Sequence, residues 1–396
     1  MAAPADLPDD AIYEILVRLP QDDPSCLLRA SVACKPWLRI ASSPAFRRRL
    51  GEFHPTPPLL GFLRDHCPRG PRFTATTASA FSPPGEPSGA ALDCRHGRAL
   101  FLVTEFQLAV WEPVTGDLRR VPTPPTFDDV YFMPNAAVLC AASGCDHRCC
   151  AAGGPFLVVF VFSKSKGGPI IMRSETVAEV CVYSSETDAW DEPTTIHIDS
   201  LVTTKRSVLV GRKLFIEFDS GYIVEYDLCD RGFVVTRMEE SLFETYRGNI
   251  MLMPMEEGLG FAGVEGLSLS LWSRKETGHG DELWEEGRVI DLGRLLPTAQ
   301  DVQLLGFAEC VNVILLGTNN GFFTLDLKSG QARKVCHRDE SDVLLPFVSY
   351  YTPAPGMATG MISTGGRYPH TIREGLQSMN FLREPRSIRS RQEYYG

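Results

Sequence analysis

The sequence predicts a mainly β protein with an N-terminal α domain: three short helices, then a β-propeller-like ring of about five or six small antiparallel sheets. Three observations predict it. Near the start, Ile12, Ile15, Leu16 and Leu19 fall at i, i+3, i+4 and i+7, one side of a helix. From Ala90 to about Pro346, short runs rich in Val, Leu, Ile and Phe alternate with turn residues, and helical periodicity is hard to find. Within that region one unit recurs at the spacing of a propeller blade.

The first helix opens at Pro8, whose missing N–H is not needed there. Asp9 and Asp10 follow in the first turn, where negative charge suits the helix dipole. The turn from Pro20 to Pro24 ends this helix and starts a second, with Asp23 as N-cap and Pro24 as first helical residue. Leu27, Leu28 and Val32 give that helix its apolar face. A third begins near Lys35 and Pro36 and carries Trp37 and Ile40; the proline is tolerable only in its first turn. The basic run Arg47, Arg48, Arg49 reads as a solvated helix end. Helices this short, over about 45 residues, bury too little surface to stand alone. Their apolar faces need cover from the rest of the chain or from another protein.

The opening Leu7-Pro8-Asp9-Asp10, the Ile15-Leu16 pair, Leu19-Pro20, the run Leu27 to Ser31, and Cys34-Lys35 followed by Trp37 stand in an order that resembles the F-box. That helical motif docks a substrate receptor onto the adaptor subunit of Skp–cullin–F-box ubiquitin ligases. Pro36 departs from the pattern, because the family usually has a basic or polar residue there. The resemblance covers 5–50. It implies that Leu7, Pro8, Ile12, Ile15, Leu16, Leu19, Pro20, Leu27, Leu28, Val32 and Trp37 form the adaptor-binding face or its immediate support. The alternative is an ordinary helical cap whose leucines pack only on their own domain. A local cap does not require this order of Pro, Leu, Cys and Trp.

The length of 396 residues suffices for two or more domains, and 44% hydrophobic content supports a large core. A net charge of -10 argues against a nucleic-acid grip, which needs a concentrated positive face. The N-terminus reads as no secretory signal, and the longest purely apolar run, Phe156 to Phe162, is far short of a bilayer span. The expectation is a protein of the cytoplasm, the nucleus or both, without membrane attachment, whose 12 cysteines are reduced thiols, mostly buried as small hydrophobes.

Residues 51–89 read as a Pro-rich linker or as first strands, with Leu59 to Leu63 and Arg72 to Thr77 as the candidate strands. Residues 90–352 read as the ring. Its recurring unit is an apolar run, an aromatic or leucine strand, a polar turn and a charged strand. The anchors are Trp111, Tyr183, Tyr226, Trp272 and Leu325, spaced about 72, 43, 46 and 53 residues apart, against ~40–50 for a blade. The longer first gap has room for an inserted loop at Ser143 to Gly154. Hairpin turns are expected at Asn320-Gly321, as type I′, and at Asp219 to Gly221. Strands near Leu344 to Tyr350 would pair with one near Leu59, closing the ring and removing exposed edges. The stretch Asp93 to Arg98 and the element Val110 to Gly116 resemble, more loosely, the kelch-like or WD-like propeller that follows the F-box in many plant F-box proteins. A β-sandwich or two small β domains is the competing fold. Residues 356–396, Gly- and Arg-rich, read as a disordered tail.

Candidate chemistry is sparse. Gly258, Gly260 and Gly263 match G-x-G-x-x-G, but the residues after them alternate as a strand, so no nucleotide site is expected and the glycines serve close strand packing. Cys140, Cys145, His147, Cys149 and Cys150 are dense in zinc-ligand types, yet lack a second spaced pair. The reading is a reduced cysteine-rich loop, with no metal and no cofactor. Cys94 and His96, two apart on an expected strand, would share one face and pack rather than act as nucleophile and base. Asp227 and Asp326 would make turn hydrogen bonds. No G-x-S-x-G, P-loop or H-E-x-x-H occurs. The resemblance therefore implies a non-catalytic substrate-recognition subunit: the F-box binds a Skp-type adaptor, and through it cullin, while the ring binds an unidentified protein substrate. The alternatives are an F-box scaffold that does not promote ubiquitination, or a β-propeller enzyme with acids or histidines gathered at its channel.

Overall fold

The computed structural model describes residues 7–353 apart from short interior stretches, of which 166–175 is the longest. The reading of 356–396 as a disordered tail lies outside the described residues.

Four helices open the chain: α1 (Asp9–Val17), α2 (Pro24–Ala33), α3 (Lys35–Ala41) and α4 (Pro44–Phe53). The first three stand where the sequence places them, except that Pro8 precedes α1 as its extended N-cap residue and α1 ends at Val17, short of Leu19; Asp23, the expected cap of α2, lies outside the described residues. The fourth was not anticipated. Ser43 starts it, its hydroxyl accepting the Phe46 N–H at 3.1 Å ahead of Pro44. Arg47 to Arg49 therefore sit inside a helix rather than at its end.

Six sheets follow. In order they span 90–122, 135–197, 208–237, 250–291 and 303–336, and the sixth joins 343–348 to 59–75. Each of the first five is an antiparallel meander. The sixth is made from both ends of the ring: Val343–Val348 pairs with Leu59–His66, which pairs with Gly70–Ala75. The closure expected from the sequence is present, and the stretch before residue 90 supplies strands. The fold is mainly β, a six-bladed propeller behind N-terminal helices. Among the described residues, no helix is long and apolar enough to cross a membrane.

The anchors explain how the repeat was readable. Trp111, Tyr183, Tyr226, Trp272 and Leu325 all lie on the third strand of their sheet. A third strand is flanked on both sides, so a large apolar side chain there packs against the next blade. The apolar clusters follow suit. Sheets one and two share Leu100, Val138 and Phe160; sheets two and three share Val159, Val182 and Ile216; sheets four and five share Leu269, Leu292 and Leu316. The core lies between blades, because no single sheet is large enough to cover its own face.

Details of the turns follow from local chemistry. Asp219–Gly221 makes the expected hairpin, with Ser220 at φ 60 and Gly221 at φ 77. The Asn320-Gly321 reading is off by one residue. Thr318 pairs with Gly321, so the two-residue loop is Asn319-Asn320, and neither takes the positive φ a type I′ turn requires. The Asn320 N–H is instead bound by Thr318 Oγ1 at 3.1 Å. Asp227 accepts the Cys229 and Asp230 N–H groups, and Asp326 those of Lys328 and Ser329, as turn aspartates should. Gly258–Glu265 is a strand with no helix behind it. A Cβ on Gly260 would stand 2.4 Å from the Trp272 carbonyl oxygen, and one on Gly263 2.7 Å from the Tyr246 ring. Close packing is what these glycines permit.

Candidate adaptor-docking site

The helical module makes its own small core. Ile12, Leu16, Leu27, Ile40, Phe46 and Leu50 are buried together, with Tyr13, Leu19 and Trp37 packed against them. Tyr13 meets Phe46 edge-on and bonds Ser43 Oγ at 3.0 Å. One residue from the ring joins them. Tyr350, just past the closing strand, is buried in this cluster, and its hydroxyl donates to the His54 carbonyl oxygen. His54 Nε2 in turn meets the Val17 carbonyl at 2.7 Å. Arg47 of α4 donates to Thr352 Oγ1 at 2.7 Å and to the Cys150 carbonyl at 3.5 Å. The first residue of the basic run thus grips the ring, while Arg48 and Arg49 stay exposed.

This divides the eleven candidate residues. Ile12, Leu16 and Leu27 point inward and support the module. Leu19 and Trp37 are half-buried on its flank. Leu7, Pro8, Ile15 and Pro20 face solvent, with Leu7 50% and Ile15 42% exposed. The side chains of Leu28 and Val32 lie outside the described residues. Thus the module's interior is closed, with Tyr350 of the ring completing it, yet apolar surface stays free at Ile15 on α1 and at Leu7, Pro8 and Pro20 beside its ends. An exposed leucine and isoleucine beside charged pairs, such as Arg39–Asp9 at 2.6 Å, mark a face suited to a partner; Phe53 of α4 is exposed as well.

A second group of polar residues gathers where the helices meet the ring. A small cavity there is lined by Arg47, Cys94, His96, His147, Arg206 and Tyr350, among others. His96 is not on the strand with Cys94; the strand ends at Arg95, and His96 takes φ 53 in the turn. The two therefore do not share a strand face. Burial, then the charge of Arg95, hold the His96 imidazole down at about 3. It stays neutral and accepts the Cys140 N–H through Nδ1 at 3.0 Å. Burial pushes the Cys94 thiol up. Both shifts run against a thiolate–imidazolium couple. Beside them, Cys140, Cys145, His147 and Cys150 bring their ligand atoms within 4.8 Å of one another. The sequence gathers these four with Cys149, which lies outside the described residues; it does not show that they converge, because Cys140 ends a strand while the other three lie on the loop that follows it.

A helical module with a closed interior and an apolar face, carried on a six-bladed propeller, defines the class of F-box propeller proteins. The F-box domain family matches residues 5–49, and the family described as "F-box protein AT5G49610-like, beta-propeller" matches residues 90–354. The chain belongs to that family of F-box proteins. No curated protein matches the sequence. Among solved structures, the "Crystal Structure of Mitotic Checkpoint Complex" is 12% identical, with 65% of this chain and 68% of that one covered and a TM-score of 0.34. The WD40 domain of SCAP from fission yeast is 11% identical, with 68% and 55% covered and a TM-score of 0.34. HIRA(644-1017) is 10% identical, with 52% and 54% covered and a TM-score of 0.24. The chain spans about half the length of the last two. F-box domains generally bind Skp1-type adaptors, and an F-box with a propeller supports a non-catalytic substrate-adaptor role in F-box ubiquitin ligases.

Proposed function

We propose that this protein is the substrate-recognition subunit of a Skp–cullin–F-box ubiquitin ligase, working in the cytoplasm, the nucleus or both. Leu7, Pro8, Ile15 and Pro20 contact the Skp-type adaptor, and cullin is reached through it. Ile12, Leu16 and Leu27 hold that face from behind. The observation that carries this reading is the exposure of Leu7 and Ile15 on a module whose interior is already closed. Every described cysteine is a free thiol, which suits a reducing compartment.

The ring presents a protein substrate at the end away from the helices. In a meander, alternate turns fall at opposite ends. The turn at His96 and the loop holding Cys150 share the helix-bearing end. The turns at Phe106, Ser220 and Leu267 share the other, where Phe106 is 68% exposed. Ubiquitin chemistry belongs to other subunits.

Adaptor pull-down tests the docking face. Leu7→Asp with Ile15→Asp is expected to abolish capture of a Skp-type adaptor while the circular dichroism of the ring is unchanged; undiminished capture overturns the reading. Ubiquitination reconstituted with co-purifying proteins then separates a receptor from a scaffold.

A further inference from the structure

We propose that Cys140, Cys145, His147 and Cys150 bind one zinc ion, which fastens the loop 141–155 at the helix-bearing end of the ring.

The donor set fits zinc in number, type and spacing. Three sulfurs and one imidazole nitrogen make a Cys₃His site, a common structural zinc set. A tetrahedral ion with Zn–S of about 2.3 Å sets its sulfurs about 3.8 Å apart. Cys145 Sγ and Cys150 Sγ are 3.8 Å apart. With Zn–N of about 2.0–2.1 Å, sulfur and nitrogen would be about 3.5–3.6 Å apart. Cys150 Sγ and His147 Nδ1 are 3.9 Å apart, so a few tenths of an ångström of closure suffices.

The surroundings favour ligands over packing. Cys94 and Cys181 are buried among apolar side chains, as cysteines serving as small hydrophobes are. Cys140, Cys145 and Cys150 are only half-buried, yet converge on one point. The loop has no strand or helix of its own among its described residues, and a connection this long needs something to hold it. Its base is held by protein: Ala141 N–H to the Pro155 carbonyl at 3.0 Å, Gly153 N–H to Glu112 Oε1 at 3.0 Å, and Arg98 Nη2 to the Gly154 carbonyl at 2.8 Å. Cys140 ends the strand before the loop, and the other three donors lie farther along it. His147 is steadied by the His96 ring, stacked on it at 4.4 Å and 19°. The stack limits the orientations open to the His147 ring.

The ion would also brace the junction. Cys150 offers its carbonyl to Arg47 of α4, so a metal-fixed loop gives the helical module a firm seat on the ring.

Elemental analysis of the full chain, purified with its adaptor and without added metal, tests this. About one zinc per chain is expected, and cobalt exchange should give the visible bands of a tetrahedral, thiolate-rich site. Cys145→Ser and His147→Ala should each lower bound metal at least ~10-fold, while Cys229→Ser on an exposed turn retains it. If the ligand variants fail to fold, titrating wild-type thiols with a mercurial should release the zinc into a colorimetric chelator. Less than about a tenth of an equivalent in wild type, metal retained by both ligand variants, or a Cys145–Cys150 disulfide in the unreduced protein would each overturn the proposal.

Discussion

Arg206 Nε lies 2.9 Å from Asp93 Oδ1 in the interior of the ring. The other Asp93 oxygen accepts the Val138 N–H at 2.9 Å and pairs with Arg95 Nε at 2.7 Å, off the N–H axis. Arg206 also donates to the carbonyls of Cys94 at 2.8 Å and Phe307 at 3.0 Å. One buried carboxylate and one guanidinium thus join sheets one, two and five to the segment entering sheet three. Burial alone would raise the Asp93 carboxyl; Arg95 and Arg206 outweigh it and hold it below the usual range.

A carboxyl lowered on folding contributes stability that is full above its unfolded value, near pH ~3.9, and is lost as pH falls through the folded value. The protein should therefore lose stability through Asp93 below about pH 4. Asp93→Asn should cost about 3 kcal/mol at neutral pH, because buried Arg95 loses its counter-charge and Arg206 keeps, among the described residues, only Glu309, 3.8 Å away. It should also be flatter than wild type in the acid range. Denaturant unfolding from pH 3 to pH 7 reads both; an unaltered acid slope would count against the assignment.

Leu16 and Ile15 are neighbours in sequence and opposites in role. Leu16 is fully buried, and truncation to Ala should cost about 3 kcal/mol of helical-module stability. Ile15→Ala should change stability by less than about 0.5 kcal/mol, yet weaken adaptor binding by about 2 kcal/mol, roughly thirtyfold. Thermal unfolding and titration calorimetry on the two variants separate support from contact. Equal loss of binding with equal loss of stability would mean the face is elsewhere.

Gly260 tests the packing role of the glycines that mimic a nucleotide loop. Its absent Cβ would meet Met255 Cγ at 2.2 Å and the Trp272 carbonyl at 2.4 Å, and the carbonyl cannot move without breaking the sheet. Gly260→Ala should cost about 2 kcal/mol from overpacking. Gly211→Ala, where nothing lies within 4 Å but φ is +60, serves as the contrast, with loss from backbone strain alone. Melting temperatures of the pair decide whether contact or conformation dominates.

The parts of this fold that were legible share one property: they repeat or they are local. Trp111, Tyr183, Tyr226 and Trp272 recur because each blade needs a large side chain on its third strand. Leu7 to Leu19 were readable because helix periodicity is written within two turns. The face itself was only half legible, since periodicity puts Ile15 and Leu16 on one apolar side and burial alone parts them. The fourth helix was missed because Pro44 and three arginines hide a capped start at Ser43. The four ligand residues were legible as a dense stretch but their convergence on one point was not, and the Asp93–Arg206 tie was not legible at all. That tie joins residues 113 positions apart, and the His96–Cys140 hydrogen bond beside the cluster joins residues 44 apart; both meet across blades, and no local pattern encodes that.

The closing strand is where such distant pairing matters most. Phe347 is buried among Trp111, Phe101 and Leu63, with Phe73 edge-on at 5.8 Å, and its backbone pairs with Gly61. Joining the two ends of the ring carries a loop-closure cost that is met only once the blades between them are in place. Contacts made that late should weigh on the unfolding rate rather than the folding rate. Phe347→Ala is therefore expected to lose about 3 kcal/mol and to unfold roughly a hundredfold faster, with refolding nearly unchanged. A truncation between neighbouring blades, Phe215→Ala, should slow refolding instead, since its backbone pairs with Glu225 only ten positions away and its side chain packs on Ile250 and Leu252 of the next sheet. Stopped-flow unfolding and refolding of the two variants, followed by tryptophan fluorescence, measure the partition. Equal effects on both limbs would mean that the ring closes early and that the ends are not the last to join.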